Sequence, residues 1–185
     1  MANAVARGTA DNTSAISGAE LIRRAADFIP ILKERADECE RLRRIPDNTR
    51  DDFIKSGLTR ISQPIPHGGL GLDMDTVLEA ALELGRGCGS SAWLGCFWPL
   101  HNWMVGMWPK EAQEEYWNGS NDTISSTAWN VLGCQTEEAG GGGIRLSGHW
   151  DFSSGIDHAD WAMLFGSKLK AGETCAGAAQ RPAHR

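Results

Sequence analysis

The sequence predicts an α+β chain, a helical N-terminal part followed by a partial β part, and three observations carry that prediction. Apolar residues recur at helical spacing as far as Trp117. Near Asp122 the period shifts toward the alternation of strands. Glycine and proline gather at the joints between the periodic segments. Helices in one run followed by strands in another suggest separate domains. A chain of 185 residues buries a core without a metal or disulfide staple.

Ser17 followed by Glu20 forms a capping-box pattern at the start of the first helix. Leu21, Ala25, Phe28, Leu32, Cys39 and Leu42 continue it near a 3.6-residue period, and Pro30 should kink or split it. Pro46 and Asp47 open a second helix through Phe53 and Ile54, and Gly57 suits its left-handed end. Leu58 to Leu72 is rich in proline and glycine and is expected to be free of helix. Asp73 or Asp75 opens a third helix carrying Val77, Leu78, Ala81 and Leu84, closed by Gly85, Gly87 and Gly89.

Ser90 or Ser91 is the expected cap of a fourth helix reaching about Met107, with a kink at Pro99. Trp93, Trp98, Trp103 and Trp108 recur every five residues within or beside it. That spacing is a step of about 140° around a helix, so they cannot share a face. A helix so apolar all round is expected to be buried in a multi-helix domain or at a subunit contact. Pro109 begins a short fifth helix that Asn118 and Gly119 stop.

Thr123 to Trp129 and Cys134 to Glu138 then read as strands, with a turn at Gly140 to Gly143. Ile144 to Ser153 and Trp161 to Gly166 complete one expected open sheet with unpaired edges. Residues 1–16 read as a disordered leader, 17–119 as the helical domain, 120–167 as the partial β domain and 168–185 as an irregular tail.

A net charge of −6 argues against nucleic acid as a main partner. Arg41, Arg43 and Arg44 lie beside Glu38 and Glu40 and read as a solvated helix face. The five cysteines are odd in number, widely spaced and without a C-x-x-C pair, so they suit a reducing cytoplasm rather than a zinc site or disulfide framework. No apolar run approaches the roughly 20 residues of a membrane span, and no signal peptide is visible. The carboxylates form no evident metal cluster, and Gly140 to Gly143 lacks the strand-to-helix context of a dinucleotide loop.

All eight tryptophans fall between Ser90 and Gly166, interleaved with His101, Ser153, Ser154, Asp157 and His158. Aromatic walls with a few convergent polar groups are the usual make-up of a small-molecule site. Three segments add a resemblance. PIPHGGLGLD (64–73), TISSTAWNVLG (123–133) and GGIRLSGHWDFSSGIDHADW (142–161) resemble, in that order, motifs of the acyl-CoA dehydrogenase superfamily. LHNWMVGMW (100–108) and the W-x-F-S-S-G run are similar to the oxygenase components of two-component, flavin-dependent aromatic monooxygenases, such as 4-hydroxyphenylacetate and secosteroid-phenol hydroxylases.

That resemblance implies an acyl-CoA dehydrogenase-like fold with the C-terminal helical bundle absent, and weak or no activity for these residues alone. It implies a reduced flavin, FMN or FAD, delivered by a separate flavin reductase, an aromatic substrate, hydroxylation through a flavin C4a-hydroperoxide, and a homo-oligomer in the full-length family. Ser154 would then hydrogen-bond the flavin N5 edge, with Ser153 as fallback; the rival role is a turn serine satisfying nearby backbone. His101 would orient or deprotonate the phenol, against a satisfied core histidine. Thr127 and Trp129 occupy the flavin-contacting strand, while Trp150 and Phe152, with Trp161, could wall the flavin or substrate. Asp157 and His158 could pair or brace the turn, and His67 reads as structural. An acyl-CoA dehydrogenase-like flavin oxidoreductase and a non-catalytic fragment or subunit-interaction domain stand as the alternatives.

Overall fold

The computed structural model describes residues 16–129 and 135–166. Apart from Ile16, the expected leader and tail lie outside these residues, as does Cys134 at the start of the second expected strand.

Helix α1 (Gly18–Asp27) opens at Ser17, whose Oγ accepts the Glu20 N–H at 3.3 Å. The reciprocal arm of the capping box is not made. The Glu20 carboxylate turns instead to Arg23 and Arg24, each at 2.9 Å, and they hold its carboxyl down at about 2. Pro30 splits the long amphipathic segment as expected. The helix breaks at Phe28, α2 (Ile29–Glu34) carries Pro30 in its first turn, and α3 (Ala36–Leu42) follows. Proline is tolerated there because first-turn N–H groups have no partner within the helix. Helix α4 (Asp47–Ser56) ends at Gly57, left-handed at φ 84°.

The stretch expected to be free of helix carries two 3-10 turns, Leu58–Arg60 and Ile65–His67. Their tight i→i+3 bonds need no long periodic run. The chain then returns over itself. The Leu70 N–H bonds the Arg60 carbonyl at 3.0 Å and the Leu72 N–H bonds that of Ile61 at 2.8 Å. The approach is so close that a Cβ on Gly69 would overlap the Gln63 carbonyl. His67 stacks on Trp117 at 4.4 Å, the structural place expected of it.

Helix α5 (Met74–Gly85) starts after Asp73. Helix α6 (Gly89–Val105) starts and ends earlier than expected. Its cap position is Cys88 rather than Ser90 or Ser91, it ends two residues before Met107, and Pro99 lies inside it. The Ser62 hydroxyl clamps that region by donating to the Pro99 carbonyl at 2.6 Å. Nor is α6 buried all round: Trp98 is buried, whereas Trp93 and Trp103 are exposed, as the 140° step between them requires. Helix α7 (Lys110–Tyr116) follows Pro109, and Gly119 turns the chain at φ 87°.

The main core gathers Leu21, Ala25, Phe53, Val77, Leu84 and Trp98. Phe53 meets Phe28 and Trp98 edge-on, with ring centroids 5.7 and 6.5 Å apart. Burying each large apolar side chain contributes about 1.5–3 kcal/mol. Gly95 presses α6 onto α5, since a Cβ there would run into Leu84.

The single open sheet expected of the β part is instead two two-stranded sheets among the described residues. Strands β1 (Ser125–Ala128) and β4 (Trp161–Leu164) pair in parallel, Ser125 opposite Trp161. Strands β2 (Gln135–Glu138) and β3 (Ile144–Ser147) form an antiparallel hairpin. The expected strand over 149–153 does not form. Phe152 sits at φ 59° and turns the chain into the 3-10 turn Ile156–His158. Asp160 then starts the parallel pair: its carboxylate accepts the Ile124 N–H at 2.9 Å and its N–H bonds the Ile124 carbonyl at 2.8 Å. Among the described residues, no helix is long and apolar enough to cross a membrane.

Candidate functional site

Trp93, Phe97 and His101 lie four residues apart on α6 and therefore share one helix face. Trp93 stacks on Phe97 at 4.4 Å, and the Phe97 ring meets His101 edge-on at 5.7 Å. Opposite this stripe stand Thr127 and Trp129, on and just after β1, and the turn with Asp151, Phe152 and Ser154. Together they enclose a cavity of about 380 Å³, within the roughly 300–1,000 Å³ of small-molecule pockets.

His101 is buried, and its Nδ1 lies 2.7 Å from the Ser125 carbonyl oxygen. A carbonyl only accepts, so Nδ1 carries the proton and Nε2 keeps its lone pair. Burial pushes the imidazole below its usual pKa, only partly opposed by the Ser125 hydrogen bond. The ring is therefore neutral near pH 7, and Nε2 has no partner among the described residues. A satisfied core histidine would use both nitrogens.

Thr127 repeats the pattern, its buried Oγ1 also lacking a partner among the described residues. The two serines differ. Ser153 Oγ lies 2.7 Å from Ser126 Oγ, whereas Ser154 lines the cavity. Trp129 stacks on Phe165 at 4.4 Å. Phe152 is 92% exposed at the cavity mouth and left-handed, a conformation that costs a bulky residue about 1–3 kcal/mol.

Two expected wall residues lie elsewhere. The Trp150 indole N–H bonds the Phe165 backbone carbonyl at 3.0 Å, and Trp150 does not line the cavity. Trp161 lies beside Tyr116, their rings 6.1 Å apart. Asp157 and His158 do not pair with each other. Instead His158 Nε2 lies 2.9 Å from the Ile45 carbonyl oxygen and anchors the turn to the start of α4. Trp93 and Phe97 were missed as wall residues in the sequence, although their four-residue spacing to His101 is legible there. Ser126 carried no signal beyond strand alternation.

A second recess, about 720 Å³, adjoins the first across Trp93 and Ser154 and carries Arg43, Arg44 and His158. It is the larger, and part of its polar lining is already engaged. Arg44 pairs with Asp47 at 2.6 Å, and His158 with backbone. The smaller cavity is lined by His101 and Thr127, each with a buried polar atom lacking a partner among the described residues, and by aromatic walls that fit a flat heteroaromatic ring. No group of three or more metal-ligating side chains occurs among the described residues.

Comparison with known proteins places this geometry in context. The acyl-CoA dehydrogenase N-terminal domain family matches residues 19–119. The flavin-dependent monooxygenase oxygenase subunit HsaA of Rhodococcus jostii is 34% identical over 151 residues, covering 82% of this chain and 39% of that protein. The oxygenase component of an FADH(2)-dependent resorcinol hydroxylase from Rhizobium sp. is 31% identical over 143 residues, 77% of this chain and 34% of that protein. Among solved structures, 3-HSA hydroxylase from Rhodococcus sp. RHA1 superposes with a TM-score of 0.78 at 34% identity, over 83% of this chain and 39% of that one. The chain thus spans 39% and 34% of the length of these two relatives.

Proposed function

This chain belongs to the acyl-CoA dehydrogenase N-terminal domain family, and from that premise we propose that it is part of the oxygenase component of a two-component, flavin-dependent monooxygenase that hydroxylates a phenolic substrate. The observation that carries the reading is His101. His101 lines a cavity walled by Trp93 and Phe97, its neutral imidazole is held by Ser125, and its Nε2 is buried without a partner among the described residues. Such an acceptor suits a phenol O–H. Holding or taking that proton raises electron density on the aromatic ring at the carbon to be oxidised.

The flavin supplies, when bound, the two electrons that split dioxygen between the new hydroxyl and water. The chain's own residues bind, orient and exclude water. Thr127 and Trp129 would hold the flavin ring from the strand side, with Thr127 Oγ1 meeting its polar edge. Ser154, rather than Ser153, would donate to that edge. Phe152 would contact the substrate and close the mouth of the site, which keeps water from the reacting atoms. Trp150 would act on the substrate side only through Phe165 and Trp129.

The electron donor in this reading is a flavin reductase, and assembly as a homo-oligomer is part of the same proposal. The free thiols of Cys39, Cys88 and Cys96 suit a reducing cytoplasm. The test is an anaerobic titration with reduced FMN and reduced FAD, followed by a panel of phenols and oxygenated buffer. Formation of catechol products supports the reading. Failure of both reduced flavins to bind sinks the assignment of this cavity as the flavin and phenol site.

A further inference from the structure

We propose that Ser126 is a positioning residue, whose hydroxyl latches the 152–155 turn onto β1 and sets which of the two turn serines can donate a proton to the bound ring. The inference rests on the flavin reading of the cavity. Ser126 is fully buried in β1. Its Oγ lies 3.0 Å from the Ser154 carbonyl oxygen and 2.7 Å from Ser153 Oγ.

A hydroxyl has one proton. A carbonyl can only accept, so Ser126 donates to Ser154 O. The Ser153 hydroxyl must then donate to Ser126 Oγ. Ser153 is left able only to accept from a ligand, while the Ser154 hydroxyl keeps its proton free for one. The two adjacent serines look equivalent in sequence, and Ser126 makes them different.

The same latch holds an unfavourable turn. Phe152 is left-handed at φ 59°, and Gly155, at φ 79°, sits so close to Leu94 and Trp98 that a side chain there would collide with them. Within the turn, the Ser154 N–H bonds the Phe152 carbonyl at 2.9 Å and the Ile156 N–H that of Ser153 at 3.2 Å. Those bonds shape the turn but do not attach it to the strand. Ser126 supplies that attachment, at the point where Thr127 meets the cavity from the next position on β1.

The experiment combines amide hydrogen exchange on the ligand-free chain with reduced-flavin affinity, for wild type, Ser126→Ala, Ser154→Ala and the double variant. In Ser126→Ala, exchange across residues 152–156 should accelerate by roughly fivefold to tenfold, the equivalent of one hydrogen bond, while α5 amides keep their rate. Reduced-flavin affinity should fall by a similar factor. The two substitutions should be non-additive, with Ser126→Ala adding little to Ser154→Ala, because one acts through the other. Unchanged exchange in the turn, acceleration spread equally over α5, or fully additive losses would each overturn the role. A wild-type chain that binds neither reduced flavin overturns the flavin reading, and the role of Ser126 with it. Normal wild-type binding with an unaltered Ser126→Ala variant removes this role alone.

Discussion

His101 Nδ1 and the carbonyl oxygen of Ser125 stand 2.7 Å apart, a single bond that ties α6 to β1 and fixes which ring nitrogen is available to a ligand. Because the carbonyl accepts, the proton sits on Nδ1. The structural role of the ring and its proposed chemical role therefore use different atoms, and they can be separated by substitution.

Asparagine reproduces the Nδ1 side of histidine, and glutamine the Nε2 side. His101→Asn should keep a donor to Ser125 and remain folded, but lose the acceptor that meets a phenol. Phenol affinity is then expected to fall roughly tenfold, the worth of one hydrogen bond near 1.4 kcal/mol. His101→Gln should show the reverse, retaining more phenol affinity and losing stability through the unpaired Ser125 carbonyl. Calorimetric titration and thermal melts on both variants check the pattern; equal behaviour of the two would break the division of roles.

Stability should depend on pH through the same ring. Burial lowers the His101 pKa in the folded chain, whereas the unfolded chain has the ordinary value near 6.5. Between the lowered value and 6.5 the unfolded state binds more protons, so stability rises with pH there. The contribution is fully present above about pH 6.5 and declines as pH falls toward the lowered pKa, by at most about 1.4 kcal/mol per unit. Urea unfolding from pH 7.5 to 5 should trace this decline, and His101→Asn should flatten it.

Phe152 offers a test of stored strain. It is almost fully exposed, so little burial is lost on removing its ring, while φ 59° is a conformation that glycine adopts freely. Phe152→Gly should leave stability unchanged or raise it by up to about 1 kcal/mol, or about 2–4 °C in Tm. Ligand affinity should fall at the same time, because the cavity mouth loses its apolar cover. A melt that drops by several degrees would show that the ring is held by contacts rather than strained.

Much of this architecture was legible for physical reasons that particular residues make plain. Ser17, Pro30, Gly57 and Pro109 act locally, through a cap, an absent N–H or a left-handed φ, and each element boundary they imply is present. The sheet was not legible. The pairing of Ser125 with Trp161 is non-local, and it depends on Phe152 taking a conformation that its side chain disfavours. His101, Thr127, Phe152 and Ser154 were named from motifs and do meet at one cavity. Trp150 looked like a wall residue because it belongs to the same motif, yet its indole N–H faces Phe165. Motif membership locates a segment, whereas the direction of a side chain is decided by the strand or turn that carries it.

The glycine-rich loop gives the last prediction, and it separates φ from space. Gly68 and Gly71 have φ 78° and 60°, so substitution there strains the backbone. Gly69 has no such φ, and its need is steric, since any Cβ would overlap the Gln63 carbonyl. That carbonyl accepts the Gly71 N–H at 3.0 Å, and the Gln63 side chain donates to the carbonyls of His67 and Asn121 at 2.6 and 3.0 Å. The backbone at Gln63 is thus fixed from several sides and cannot yield. Gly69→Ala should destabilise by about 3 kcal/mol, the upper end for overpacking, and more than Gly119→Ala, where a left-handed φ meets open space. Chemical denaturation of the two variants checks the order. If Gly119→Ala proves the costlier, backbone conformation rather than close approach governs these glycines.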